Sequence, residues 1–150
     1  MTNDRRILIT GVTGQQGGAV AHALQGAGFH LRGLTRKPDS QRATALARQG
    51  IEVVKGDLDD EATLRRALAG AWGVFGVQNA GEAGVEREEA QGKRLATLAR
   101  EAGVEHYVYT SVGSADKQTG IPHFDNKWRI EETVRGLRFP SHVISCALPG

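Results

Sequence analysis

The sequence predicts an α/β fold, a doubly wound parallel sheet of about six strands with helices on both faces. Three observations carry this. Short apolar runs alternate strictly with longer amphipathic ones along the 150 residues, a pattern that parallel sheets with right-handed helical crossovers produce. A glycine-rich turn joins the first strand to the first helix. Single glycines then follow the helical stretches, where a left-handed residue is wanted to end a helix.

The elements follow in order. A strand is expected over 5–10, and a helix over 15–27 places Ala19, Val20, Ala23, Leu24 and Ala27 on one stripe of small residues that allows close approach to the sheet. A strand over 31–34, a helix over 40–49 and a strand over 52–55 come next. The third helix, over 60–69, has Asp59 placed to cap its open amides. After a strand over 73–77, the helix over 85–102 carries Glu86, Glu88 and Glu89 early and Lys93, Arg94 and Arg100 late, the order that complements a helix macrodipole. A strand over 106–110, a helix over 125–135 and a strand over 142–146 complete the alternation. Gly28, Gly50, Gly70 and Gly103 each follow a helical pattern. Tyr107 and Tyr109 lie in a strand expected to be covered on both sides, which makes them core residues with a hydroxyl at most reaching the rim.

The length suits one domain, 1–150, large enough to bury about 68–70% of the surface that the unfolded chain exposes. The lone Cys146 forms no internal disulfide, which suits a reducing compartment. The start MTNDRR is polar, and the run Ile7-Leu8-Ile9 is far shorter than a signal or membrane segment. A cytoplasmic protein with no membrane partner is therefore expected. The formal charge of +2 comes from interspersed signs, and no helix groups Arg and Lys with outward Asn or Gln. Direct nucleic-acid binding is not expected, nor is a metal site.

The stretch TGVTGQQGGAVAHAL concentrates its glycines where the first strand passes into the first helix. Strand, glycine turn and helix in succession form the context in which such glycines signal dinucleotide binding. Gly11 permits the tight turn, Gly14 lets backbone amides approach a pyrophosphate, and Gly17 lets the helix pack hard on the strand. The loop residues Gly11, Thr13, Gly14, Gln15, Gln16 and Gly17 are the candidate phosphate cradle, with the positive helix end behind them. The spacing, G-x-x-G-x-x-G, is one residue longer than the common dehydrogenase form.

Taken together, GVTGQQGG, LTRKP, KGDLDD, VEHYVYTSVG and PHFDNK resemble the NmrA-like branch of the atypical short-chain dehydrogenase/reductases. The resemblance runs from Arg5 to about Arg135. It implies a Rossmann-type fold and NADP(H) as ligand. The branch holds redox sensors and regulators as well as quinone and other reductases, so membership implies the ligand more firmly than the function.

Cofactor choice follows from charge. A carboxylate at the end of the second strand accepts from the ribose 2′-hydroxyl of NAD, whereas a cation there accommodates the 2′-phosphate of NADP. Here the strand ends LTRKP with no acid between Phe29 and Lys37. Arg36 offers a planar fork and Lys37 a point charge, which favours NADP(H) over NAD(H); a solvated basic turn is the plainer alternative. Asp57 and Leu58 match the adenine-side motif of the branch, though Asp57 equally suits a turn or cap. Gln78 and Asn79 end the fourth strand at the carboxyl edge, where they either bond the nicotinamide ribose or close a turn.

Related reductases that move hydride use a tyrosine four residues before a lysine, with a serine from the preceding strand end. Ser111 and Lys127 fit the serine and the lysine, but His123 stands at the tyrosine position. His123 is either a proton donor or a loop histidine beside Pro122, and Lys127 either meets the nicotinamide ribose or pairs with Glu131. Relatives of this branch continue well beyond 150 residues into a smaller domain that covers the nicotinamide end, and an arginine-proline pair usually follows their sixth strand. Here Leu148 precedes Pro149, so a truncated form or fragment is expected, with an open crevice and apolar surface that favours self-association. Three functions remain open: an NADP(H)-dependent redox sensor or regulator acting through loops such as 79–85 and 112–122, an NADPH-dependent oxidoreductase of quinones or small carbonyl compounds, and an interaction domain without ligand.

Overall fold

The structure, a computed structural model, describes residues 5–79, 85–112 and 121–146; within these, the side chains of 15–16, 77–79, 85, 110–112, 121–128 and 144–146 lie outside the description. The elements run β1 (Arg6–Ile9), α1 (Gln15–Leu24), β2 (His30–Thr35), α2 (Gln41–Arg48), β3 (Glu52–Lys55), α3 (Glu61–Leu68), β4 (Gly73–Asn79), α4 (Val85–Glu101), β5 (His106–Val112), α5 (Ile121–Gly136) and β6 (Ser141–Cys146). All strand pairs are parallel, in the order β3-β2-β1-β4-β5-β6. The order reverses between β1 and β4, so a crevice opens at the carboxyl ends of these two strands.

Alternation along β1 divides the core. Leu8 points to one face with Leu64, Leu68, Leu95, Ile130 and Val134, residues of α3, α4 and α5. Ile7 and Ile9 point to the other, where they meet Val12, Ala21, Leu31 and Ile51. Both faces are thus covered by helices, as the alternation predicts. Tyr107 and Tyr109 are each 1% exposed, and Tyr107 stacks on Phe139 with ring centroids 4.8 Å apart. Burial pushes the Tyr107 hydroxyl far above the usual tyrosine range.

Four local expectations are corrected. The stripe of α1 is Gly17 and Ala21, with Val20 and Leu24 partly buried; Ala19, Ala23 and Ala27 are exposed and the helix ends at Leu24. Its left-handed terminator is accordingly Gly26, φ 82°, directly after the C-cap Gln25, while Gly28 turns the chain into β2. Gly28, Gly50, Gly70 and Gly103 all have positive φ as expected. The cap of α3 is Asp60, whose carboxylate accepts from the amides of Ala62 at 3.0 Å and Thr63 at 3.4 Å, because the helix begins one residue later than its neighbouring acids suggest. Helix α5 begins at Ile121, before Pro122; proline in a first turn forfeits no helical hydrogen bond.

The buried Arg32 of β2 was not foreseen. Its guanidinium donates to the carbonyls of Ala67 at 2.6 Å and Ala69 at 2.8 Å and to Glu52 at 3.0 Å. A cation thus closes the C-terminal end of α3, where the carbonyls lack helical partners.

Candidate functional site

The loop after β1 is shaped by backbone contacts that only glycine permits. Gly11 has φ 60°, and its carbonyl accepts the Gly14 amide at 2.9 Å. A β-carbon on Gly17 would stand 2.1 Å from the Gly11 oxygen, so α1 presses on the end of β1 at a distance that no side chain allows. Val12 is 1% exposed; it fills the place of an absent side chain on Gly33, whose β-carbon would come within 2.7 Å of it. The loop is therefore anchored to the sheet from below through Val12. Gly14 caps α1 without a side chain, and the first turns of α1 and α2 hold no acid, in contrast to α3 with Glu61 and α4 with Glu86 and Glu88. An uncapped, acid-free helix start suits an anionic ligand. The cradle fits a diphosphate on these grounds.

The neighbouring loop carries the cations. Arg36 and Lys37 follow β2 and are exposed, and the Lys37 amide donates to the Thr35 hydroxyl at 3.1 Å. Arg42 of α2, which sequence reasoning missed, reaches across to the Thr13 carbonyl of the glycine loop at 2.9 Å. This places a third cation, and a second guanidinium, beside the same crevice. Its signal in the sequence was slight, one arginine among several on an amphipathic helix.

Asp57 makes the turn contacts allowed for it: its carboxylate accepts the Asp59 amide at 2.9 Å and its own amide donates to Thr63 at 3.1 Å. The carbonyl of Leu58 is held by Arg94 of α4 at 2.7 Å. Asp59 accepts from Arg87 at 2.8 Å and Gln91 at 3.2 Å. The hydrogen bond from Arg87 holds the Asp59 carboxyl below its usual range, against an opposing contribution from burial, and the Arg87 guanidinium is raised in turn. Of the late cations of α4, Lys93 pairs with Glu89 on the same helix, whereas Arg94 thus makes a tertiary contact. Arg100 likewise donates to the Leu137 carbonyl at 2.9 Å.

On the other half of the crevice, register brings Gln78 beside Ser111 and Asn79 beside Val112 at the carboxyl ends of β4 and β5. Lys127 and His123 sit one turn apart on α5. The side chains of Gln15, Gln16, Gln78, Asn79, Ser111, His123 and Lys127 lie outside the described residues, as do most of the two loops 79–85 and 112–122. Glu131, the alternative partner of Lys127, lies 3.9 Å from Arg135. Among the described residues no cluster of His, Cys, Asp and Glu is arranged to hold a metal, and no helix is long and apolar enough to cross a membrane.

Residues 3–150 match the NmrA-like family. The chain is 36% identical over 141 residues to the NmrA-like family domain-containing oxidoreductase FrzB of Cladobotryum sp., spanning 87% of this chain and 42% of FrzB. Among solved structures it is similar to NmrA, a negative transcriptional regulator, with TM-score 0.77 and 25% identity over 95% of this chain and 45% of that one. It is also similar to the NADPH-dependent quinone oxidoreductase QOR2 of Escherichia coli complexed with NADPH, with TM-score 0.72 and 30% identity over 93% and 47%. The chain spans less than half the length of each of these relatives.

Proposed function

The chain belongs to the NmrA-like family, and on that premise we propose that it binds NADP(H) at the carboxyl edge of its sheet and works as a redox-sensing or regulatory module. The observation that carries the proposal is the contact of Gly17 with Gly11, which seats the open end of α1 where a pyrophosphate would bind. Arg36, with Lys37 beside it, takes the 2′-phosphate, and the absence of an acid on β2 disfavours NAD(H). NmrA, a regulator of the same fold, supports the sensing output. Such an output requires contacts that differ between the bound and free states, since a ligand shifts populations only through differential affinity. We assign those contacts to the loops 79–85 and 112–122, most of which lies outside the described residues.

A second reading is NADPH-dependent reduction of quinones or small carbonyl compounds, favoured by the pairing of Ser111 with Gln78 at the strand ends and by the relatives named as oxidoreductases. NADPH would supply the hydride; Ser111 and Lys127 would orient the nicotinamide ribose and the substrate oxygen, with His123 as proton donor. Fluorescence titration of the chain with NADPH tests the first claim. Absence of binding at physiological concentration leaves only an interaction domain. Steady NADPH oxidation with a panel of quinones, abolished by Lys127→Ala, favours the reductase over the sensor.

A further inference from the structure

With the pyrophosphate over the loop after β1 and the ribose at the end of β2, the strand order β3-β2-β1 puts the adenine over the loop 56–60 that follows β3. That loop is closed partly by its own bonds and partly by α4. The peptide joining Leu58 to Asp59 is gripped at both ends: its N–H donates to the Asp57 carboxylate at 2.9 Å, and its carbonyl accepts from Arg94 at 2.7 Å. Arg94 also lies 3.7 Å from the Asp59 carboxylate, which Arg87 holds as well. A charged donor on a carbonyl makes a strong, directional bond, so Arg94 fixes the plane of this peptide and through it the direction of the Asp57 carboxylate.

We propose that Arg94 is a positioning residue for the adenine end of the nucleotide, acting through the Leu58–Asp59 peptide on Asp57. The inference rests on the NADP(H) reading above. It assigns to α4 a role that none of its neighbours in sequence announces, because the contact spans 36 residues.

The test uses the full chain and two fragments of the nucleotide: 2′-phospho-ADP-ribose, which contains adenine, and reduced nicotinamide mononucleotide, which does not. Arg94→Ala should weaken the first about tenfold, the loss expected for one charge-assisted hydrogen bond, and leave the second unchanged. Arg94→Lys, which keeps a donor, should recover most of the affinity. Circular dichroism checks the fold, and if the alanine variant unfolds, Arg94→Met, which fills similar space without a donor, replaces it with the same expectation. Equal affinities in variant and wild type, or equal losses for both fragments, overturn the inference while the NADP(H) reading stands. Failure of the wild type to bind NADPH at all overturns both.

Discussion

The carbonyl oxygen of Gly11 lies 2.1 Å from where a β-carbon of Gly17 would be. The glycine is therefore required by the approach of α1 to β1, whatever the loop binds. Gly17→Ala is expected to push the helix away from the strand, at a cost of about 1–3 kcal/mol, measured by urea denaturation. It should also weaken NADPH through displacement of the first-turn amides. A variant as stable as the wild type would show that the helix can slide without loss.

Arg36 and Lys37 stand exposed at the end of β2, and no acid lies between Phe29 and Lys37. Arg36→Ala should weaken NADPH about tenfold or more and leave NADH nearly unchanged, since only the former carries the 2′-phosphate. Titrations with both nucleotides measure the ratio. Equal losses would remove Arg36 from the phosphate site.

Arg32 ties β2 to the end of α3 through two carbonyls and to β3 through Glu52. Arg32→Ala is expected to cost about 1.5–3 kcal/mol, the range for hydrogen bonds to charged groups, and should not alter nucleotide discrimination. Thermal melting of the variant, with and without NADPH, separates the two effects.

Two carboxylates anchor α4. Asp59 is lowered by the hydrogen bond from Arg87, and Glu89, which burial alone would raise, is lowered by the hydrogen bonds from Lys93 and Arg129. A group whose pKa falls on folding contributes stability above its unfolded value and loses it as the pH drops through the folded one. Stability should therefore be flat near neutrality and decline below about pH 4. The decline should be shallower in Asp59→Asn and Glu89→Gln, followed by melting temperature across that range; an unchanged slope would mean that these pairs contribute little.

Much of the architecture was legible because it depends on local periodicity. The short apolar run of β1 and the glycines after α2, α3 and α4 specify elements within a few residues of themselves. Errors arose where neighbouring residues competed for one local role. Asp59 and Asp60 are adjacent acids, and which of them caps α3 depends on where the helix starts; Gly26 and Gly28 lie two residues apart, and which of them ends α1 depends on its last hydrogen bonds.

The α/β alternation, the glycine loop and the cationic end of β2 could be read from the amino-acid order, since each is a matter of residue type at short spacing. The seating of Val12 against Gly33, the reach of Arg42 to Thr13 and the hold of Arg94 on Leu58 emerge only in the folded chain. Those contacts join residues 21, 29 and 36 positions apart. Their partners are selected by strand register and by how the helices dock on the sheet, and neither is written in the spacing of any one segment.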